Sequence, residues 1–191
     1  SLDPETGILY VTSATDPSVL GLVAPQGGRS TMRYVRGIAP IRDLDDHPGG
    51  GPRGLPLIKP PWGRITAINL NTGDHEWMVA NGETPDYVRD HPALEGIEIG
   101  RWGRPDRGGT LVTRSLLFAG EGGGMYAGAG SGGNKLRAHD KATGGVIAEI
   151  ELPGNQTGVP MSYSWNGRQY VVVAVGLRGE PAELVALALP K

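Results

Sequence analysis

The stretch that decides the fold is "GRITAINLNTGDHEWMVAN", residues 63–81, because "KLRAHDKATGGVIAEIELP", residues 135–153, repeats it. Superposed, Ala67 meets Ala138, Thr72 meets Thr143, Gly73 meets Gly144 and Trp77 meets Ala148. Alternation along a strand places Ala67 and Asn69 on one face, Ile68 and Leu70 on the other. The Asn or Asp side chain then holds the turn amides, the Thr hydroxyl supports it, and the Gly takes the positive φ. Trp77 comes next, on the outer strand of the hairpin, where an indole lies flat between neighbouring sheets. Such a residue at a fixed offset from its turn staples one four-stranded sheet to the next. Ala148 has no indole, so a neighbouring sheet or loop is expected to fill the gap there.

Ala67 and Ala138 stand 71 positions apart, longer than the roughly 40–45 residues of a plain propeller blade. The stretch 81–109 accounts for the excess. A cousin of the turn, "DPETG" at 3–7, leads into a strand without the tryptophan. Further strands read at 7–14, 64–70, 75–80, 110–113, 116–120, 135–140, 146–152, 159–165, 169–176 and 183–189, rich in β-branched and aromatic residues with turn chemistry between. Asn166-Gly167, between two apolar runs, is a strong hairpin signal because a type I′ turn needs positive φ at both positions. Helix signals are poor; residues 84–96 hold a turn or two between Pro85 and Pro92.

These strands group into stacked sheets: 8–14, 64–70 and 75–80 in one; 110–113, 116–120, 135–140 and 146–152 in a second; 159–165, 169–176 and 183–189 in a third, one strand short. The fold class is all-β, a segment of a β-propeller with about three four-stranded blades, the last incomplete. The whole chain, 1–191, reads as a partial propeller domain. Blade one covers about 1–81 with an irregular insertion at 15–62, blade two about 107–153, and the open blade 157–191. An unpaired edge of that length is an aggregation liability that propellers remove by ring closure, so the chain reads as the last part of a larger ring. The loops 15–62 and 81–109 are long enough to carry function on a rigid scaffold.

The bulk numbers narrow the classes. A chain of 191 residues buries a core. A net charge of −2 with 20 % charged residues is no nucleic-acid footprint. The absence of cysteine removes disulfides, Cys-based zinc sites and a C-x-x-C-H haem attachment. No run approaches the roughly 18 apolar residues of a membrane span. The first residues, "SLDPETGILYV", lack the basic and apolar regions of a signal peptide; a cleaved leader or a longer parent chain leaves the same picture. Glycine and proline reach about a quarter of the chain, near the range of disordered sequences, yet the glycines fall at turn positions between alternating apolar runs.

The phrases "GLPLIKPPWGRITAINLNTGDHEW", "RGGTLVTRSLLFAGEG", "KLRAHDKATGG" and "LPGNQTGVPMSYSWNGRQYVVVAVG" resemble the C-terminal part of the pyrroloquinoline quinone (PQQ)-dependent dehydrogenases. The branch they are most similar to is the quinoprotein glucose dehydrogenases, and the resemblance covers essentially the whole chain. It implies an eight-bladed propeller with tryptophan-docking motifs, PQQ on the axis, usually a Ca²⁺ ion, and a bacterial periplasmic location. Any membrane association would be carried by a part of the protein outside this segment. It implies oxidation of a sugar or alcohol C–OH: a base takes the hydroxyl proton, hydride passes to the C5 carbonyl of PQQ, and electrons leave to a quinone or cytochrome. The family's metal ligands and catalytic aspartate belong to earlier blades, so no catalytic or metal residue is assigned here. The partners implied are the remaining blades, the substrate and the electron acceptor.

The resemblance also nominates cofactor-side residues. Alcohol-oxidising members open a blade with W-G-G-T; here that position reads Arg107-Gly108-Gly109-Thr110, a cation in place of the aromatic, and Arg107 can pair with a PQQ carboxylate or form a surface ion pair. Lys59 and Trp62, in "KPPWG", are candidates for a pocket wall, with loop packing the other reading for Trp62. Arg178, in "GLRGEP", matches the last axial loop. Trp102 reads as a loop anchor. Asp43, Asp45, Asp46 and His47 invite a Ca²⁺ reading, but lack the Gly and Glu of an EF-hand and read as a solvated loop. "GEGGGMYAGAGSGGN", 120–134, lacks the order of a phosphate loop. His75 and His139 read as exposed. Two other readings stand beside the enzyme: a non-catalytic propeller segment for protein contacts or assembly, and a piece that self-associates through open edges.

Overall fold

The computed structural model describes residues 1–15, 17, 20–27, 30–38, 51–105, 108–122, 132–177 and 179–190. They form two compact units, Asp16–Lys59 on one hand and Ser1–Thr15 with Pro60–Lys191 on the other. The smaller unit was expected to be irregular, and the structure corrects this. It holds an antiparallel hairpin of β3 (Leu20–Val23) and β4 (Val35–Ile38) and a 3-10 turn at Pro52–Gly54. The short apolar runs are enough to pair. Gly21 faces Gly37, and a Cβ on Gly37 would come within 2.6 Å of Val23.

The larger unit is three stacked antiparallel sheets. The first runs β1 (Leu2–Asp3), β2 (Ile8–Ala14), β5 (Gly63–Asn69), β6 (His75–Ala80). The second is a meander of β7 (Thr110–Val112), β8 (Leu116–Gly120), β9 (Lys135–Asp140) and β10 (Val146–Glu151). In the third, β13 (Arg168–Gly176) is flanked on one edge by β14 (Glu183–Leu187) and on the other by β11 (Asn155–Gln156) and β12 (Met161–Trp165) in succession. The two-residue strands β1 and β11 are absent from the sequence reading, because two residues carry no periodicity. β11 and β12 share one edge of β13, so three full strands span the third sheet.

The turns form as their chemistry demands. Asn69 Oδ1 accepts from the Asn71 amide at 2.9 Å, the Thr72 hydroxyl from the Asp74 amide at 3.2 Å, and Gly73 has φ +84°. In the second copy Asp140 Oδ1 accepts from the amides of Ala142 and Thr143, each at 2.9 Å, which holds its carboxyl below the usual range. Asn166 and Gly167 take φ +51° and +74°, as a type I′ hairpin requires.

The indole N–H of Trp77 donates to the Lys141 carbonyl at 3.1 Å, and its six-membered ring lies against Gly144 so closely that a Cβ there would sit 2.7 Å away. The Tyr10 hydroxyl shares the same carbonyl at 3.1 Å, and the Tyr10 and Trp77 rings stand 5.7 Å apart. Lys141 Nζ donates to Asp3 Oδ2 at 2.5 Å, and with the Thr6 hydroxyl this lowers the Asp3 pKa. Tyr10, Ile65 and Ala67 of the first sheet bury against Leu117 and Ala119 of the second. Leu136, Leu152, Val173 and Val175 form the core between the second and third. Each fully buried aliphatic side chain stabilises by about 1.5–3 kcal/mol.

Neighbouring sheets pack on both faces of β8 and β9, while β10 stays exposed. His139, expected to be exposed, is therefore 1 % exposed, on the face that carries Leu117 and Ala119 toward the first sheet. Its Nδ1 lies 2.9 Å from the Gly144 carbonyl, which can only accept, so the proton sits on Nδ1. Burial pushes the His139 pKa down. Among the described residues neither sheet nor loop fills the gap at Ala148: a groove lies there, lined by Ala138, Ala148, Phe118 and residues of the third sheet.

Candidate functional site

Because the strands alternate in direction, one end of all three sheets gathers the turn at 62–63, the segments 81–84, 102–105 and 108–110, the end of β8 at 120–122, and residues 152–158. Trp62, Gly108 and Gly109 all belong to this end. Gly108 and Gly109 open β7 between the neighbouring sheets. Thr12 Oγ1 of the first sheet donates to the Gly108 carbonyl at 2.6 Å. Gln156 Nε2 of the third donates to the Gly109 carbonyl and the Gly158 carbonyl, each at 2.7 Å. A Cβ on Gly109 would come within 2.7 Å of Val159, and one on Gly108 within 3.0 Å of the Gly120 carbonyl. Close approach of protein therefore explains both glycines, and each carbonyl is already engaged by an adjacent sheet.

Trp62 is 5 % exposed. Its amide donates to the Trp102 carbonyl at 3.0 Å, its carbonyl accepts from Thr15 at 2.7 Å, and the two indoles meet edge to face at 5.9 Å. Trp102 is held in turn by the Thr84 hydroxyl, 3.0 Å from its amide. Trp62 thus packs on the loop 84–102, and Trp102 anchors that loop. Lys59 is exposed and belongs to the 16–59 unit. Arg107, Arg178 and the cluster Asp43, Asp45, Asp46 and His47 lie outside the described residues.

The strongest electrostatic feature of this end is one the sequence reading missed. Arg137, 1 % exposed, pairs with the buried Glu121, with Glu83 at 2.7 Å and with Glu149 at 3.2 Å. Lys135 bonds Glu149 at 2.8 Å, which lowers the Glu149 pKa and raises that of Lys135. Arg104 ties the same corner together through the carbonyls of Glu83, Thr84 and Gly132 and through Asp86 at 3.1 Å. The amide of Gly133 donates to the Glu121 carbonyl at 3.0 Å, and that of Gly132 to the Pro105 carbonyl at 3.1 Å. The network therefore clamps the segment 104–105 that leads into Gly108 to the end of β8. In the sequence, Lys135, Arg137 and His139 alternate with Leu136 and Ala138, the pattern of one wet and one dry face; only a covering sheet makes the charged face dry.

PQQ carries carboxylates, and its binding calls for cations at such a site. Arg104 and Arg137 are committed to the network. The described residues supply walls and backbone, and of the described arginines at this end Arg64 alone has no ion pair: it donates to the Thr15 hydroxyl at 2.6 Å and to the Pro61 carbonyl at 3.2 Å.

Stacked antiparallel four-stranded sheets with one end built from inter-sheet backbone contacts define a β-propeller segment. The family described as PQQ: glucose/ethanol/alcohol dehydrogenase, beta-propeller domain, matches residues 1–171, and the chain belongs to it. It is 33 % identical over 144 residues to quinoprotein glucose dehydrogenase A of Acinetobacter calcoaceticus, covering 73 % of this chain and 17 % of that protein. Over 228 aligned positions it is 28 % identical to the glycerol dehydrogenase large subunit of Gluconobacter thailandicus, covering 100 % of this chain and 28 % of that one. A europium-containing methanol dehydrogenase superposes with a TM-score of 0.50 at 17 % identity, over 93 % of this chain and 24 % of its own, a likeness of fold. The chain thus spans between a sixth and a third of the length of these relatives.

Proposed function

We propose that this chain is the C-terminal segment of a PQQ-dependent dehydrogenase that oxidises a C–OH group of a sugar or alcohol in the bacterial periplasm. The observation that carries this reading is the family match over residues 1–171, supported by the Gly108-Gly109-Thr110 opening of β7 at the loop end of the sheets. Bound PQQ would take hydride from the substrate carbon and pass electrons to a quinone or cytochrome. The catalytic base and a Ca²⁺ site belong, on this reading, to blades outside the chain.

The chain's own part is positional. Thr12 and Gln156 hold the Gly108–Gly109 backbone from either side, and the Arg137 network holds the segment leading into it. The buried Trp62, edge to face with Trp102, backs the same end and anchors the loop 84–102 there. Arg107 and Arg178 are the cations we assign to the cofactor's carboxylates, and Lys59 is a third cofactor-side candidate on the family resemblance alone. Trp77, seated on Gly144, acts as the family's tryptophan-docking staple. The remaining blades are the obligate partner.

The test is native mass spectrometry of the protein from its source, followed by PQQ titration of the apo form. A species several-fold heavier than 20.1 kDa that binds PQQ, with affinity at least tenfold weaker in Arg107→Met, is expected. A 20.1 kDa species that takes up no PQQ would replace this reading with a non-catalytic propeller segment.

A further inference from the structure

The two sheet-to-sheet interfaces are built on the same three positions. In the first sheet Tyr10 pairs with Ala67, and Ala67 with Trp77. In the second, Phe118 pairs with Ala138, and Ala138 with Ala148. Register therefore makes Ala148 the counterpart of Trp77, as the repeated sequence phrase does. At the first interface the indole fills the space and seats on the next sheet's turn. At the second, a groove of about 840 Å³ occupies the corresponding space. Its walls come from Phe118, Leu136, Ala138, Ala148 and Ile150 of the second sheet and from Val171 and Leu187 of the third.

The groove carries charge of one sign. Arg114 and Arg168 line it, and no aspartate or glutamate does among the described residues. Arg168 is committed, donating to the Leu189 carbonyl and lying 5.6 Å from the centre of the Tyr170 ring. Arg114 makes no hydrogen bond or ion pair within the described residues. An apolar groove with a single guanidinium unengaged among the described residues asks for a flat apolar body with one anionic group. Its volume falls within the roughly 300–1,000 Å³ of small-molecule sites, and apolar cavities vacated by a large side chain take up aromatic molecules of matching shape.

We infer that the groove between the second and third sheets is a binding site for a small planar aromatic carboxylate, its ring in the place vacated at Ala148 and its carboxylate on Arg114. The site lies at the opposite end of the sheets from Gly108 and Gly109, beside the turns 113–115 and 166–167, so its occupancy is independent of the proposed cofactor chemistry.

The test titrates the full-length protein that carries this chain with indole-3-acetate and with uncharged indole, by calorimetry or ligand-observed NMR. Wild type should bind indole-3-acetate about tenfold more tightly than indole, the usual advantage of a charge-assisted contact. Ala148→Trp, which restores the side chain of the sister interface, should abolish binding of both. Arg114→Gln should erase the preference and leave indole binding unchanged. Undiminished binding in Ala148→Trp, an unchanged preference in Arg114→Gln, or no binding of either probe to wild type would overturn the inference; the last would mean that another part of the protein covers the groove. Should Ala148→Trp fail to fold, the Arg114→Gln comparison decides alone.

Discussion

The Arg137–Glu121 pair offers the sharpest test of how the middle sheet is held. Arg137→Met keeps an unbranched apolar stem of similar length and removes the charge. Glu121, 3 % exposed, is then left inside with no other cation among the described residues paired to it. Glu83 and Glu149, both part-exposed, can turn to water and to Lys135 or Arg101. Stranding one charge of a buried pair costs about 3–5 kcal/mol. Glu121→Gln leaves an amide oxygen to accept from Arg137, which retains Glu83 and Glu149, so its cost is about 1–2 kcal/mol. The double variant has no stranded charge and should recover about 1–3 kcal/mol relative to the sum of the singles. Native-state hydrogen exchange on the protein reads this locally. In Arg137→Met, amides of β8 and β9 should exchange at least about a hundredfold faster, because each 1.4 kcal/mol is about a factor of ten. Exchange within tenfold of wild type, or a larger effect from Glu121→Gln than from Arg137→Met, would refute the account of Arg137 as the centre of the clamp.

Three further outcomes follow from named contacts. Trp77→Ala should cost about 2–4 kcal/mol, somewhat below a fully buried tryptophan, and Trp77→Phe about 1 kcal/mol for the lost bond to the Lys141 carbonyl; urea unfolding separates the two. The Lys141 ammonium and Thr6 hydroxyl hold the Asp3 pKa below 3.8, so its contribution is whole above that value and disappears as pH falls through the folded pKa; Asp3→Asn should flatten the stability–pH curve below pH 4. Burial holds the His139 pKa below 6.5. The unfolded chain therefore takes up the proton first, and stability should fall as pH drops from about 7 through the folded pKa. His139→Gln should remove that slope while leaving the Asp3 one in place, as measured by denaturant midpoints at each pH.

Local chemistry made much of this protein legible in its sequence. Asn69, Thr72 and Gly73 fold their turn with side chains three or four residues apart, and the strands on either side alternate with period two, so both the hairpins and the family phrases can be read without a fold. Trp77 was legible for the same reason: its offset from the turn is constant. Arg137 and His139 were not, since their burial depends on the first sheet closing over a face whose residues look wet. The Ala148 groove was not either. Its sequence says only that an indole is missing, while the volume left behind depends on how closely the third sheet approaches. The hairpin inside 15–62 and the two-residue strands β1 and β11 exist because a partner strand completes their hydrogen bonds, a long-range condition that no local pattern encodes.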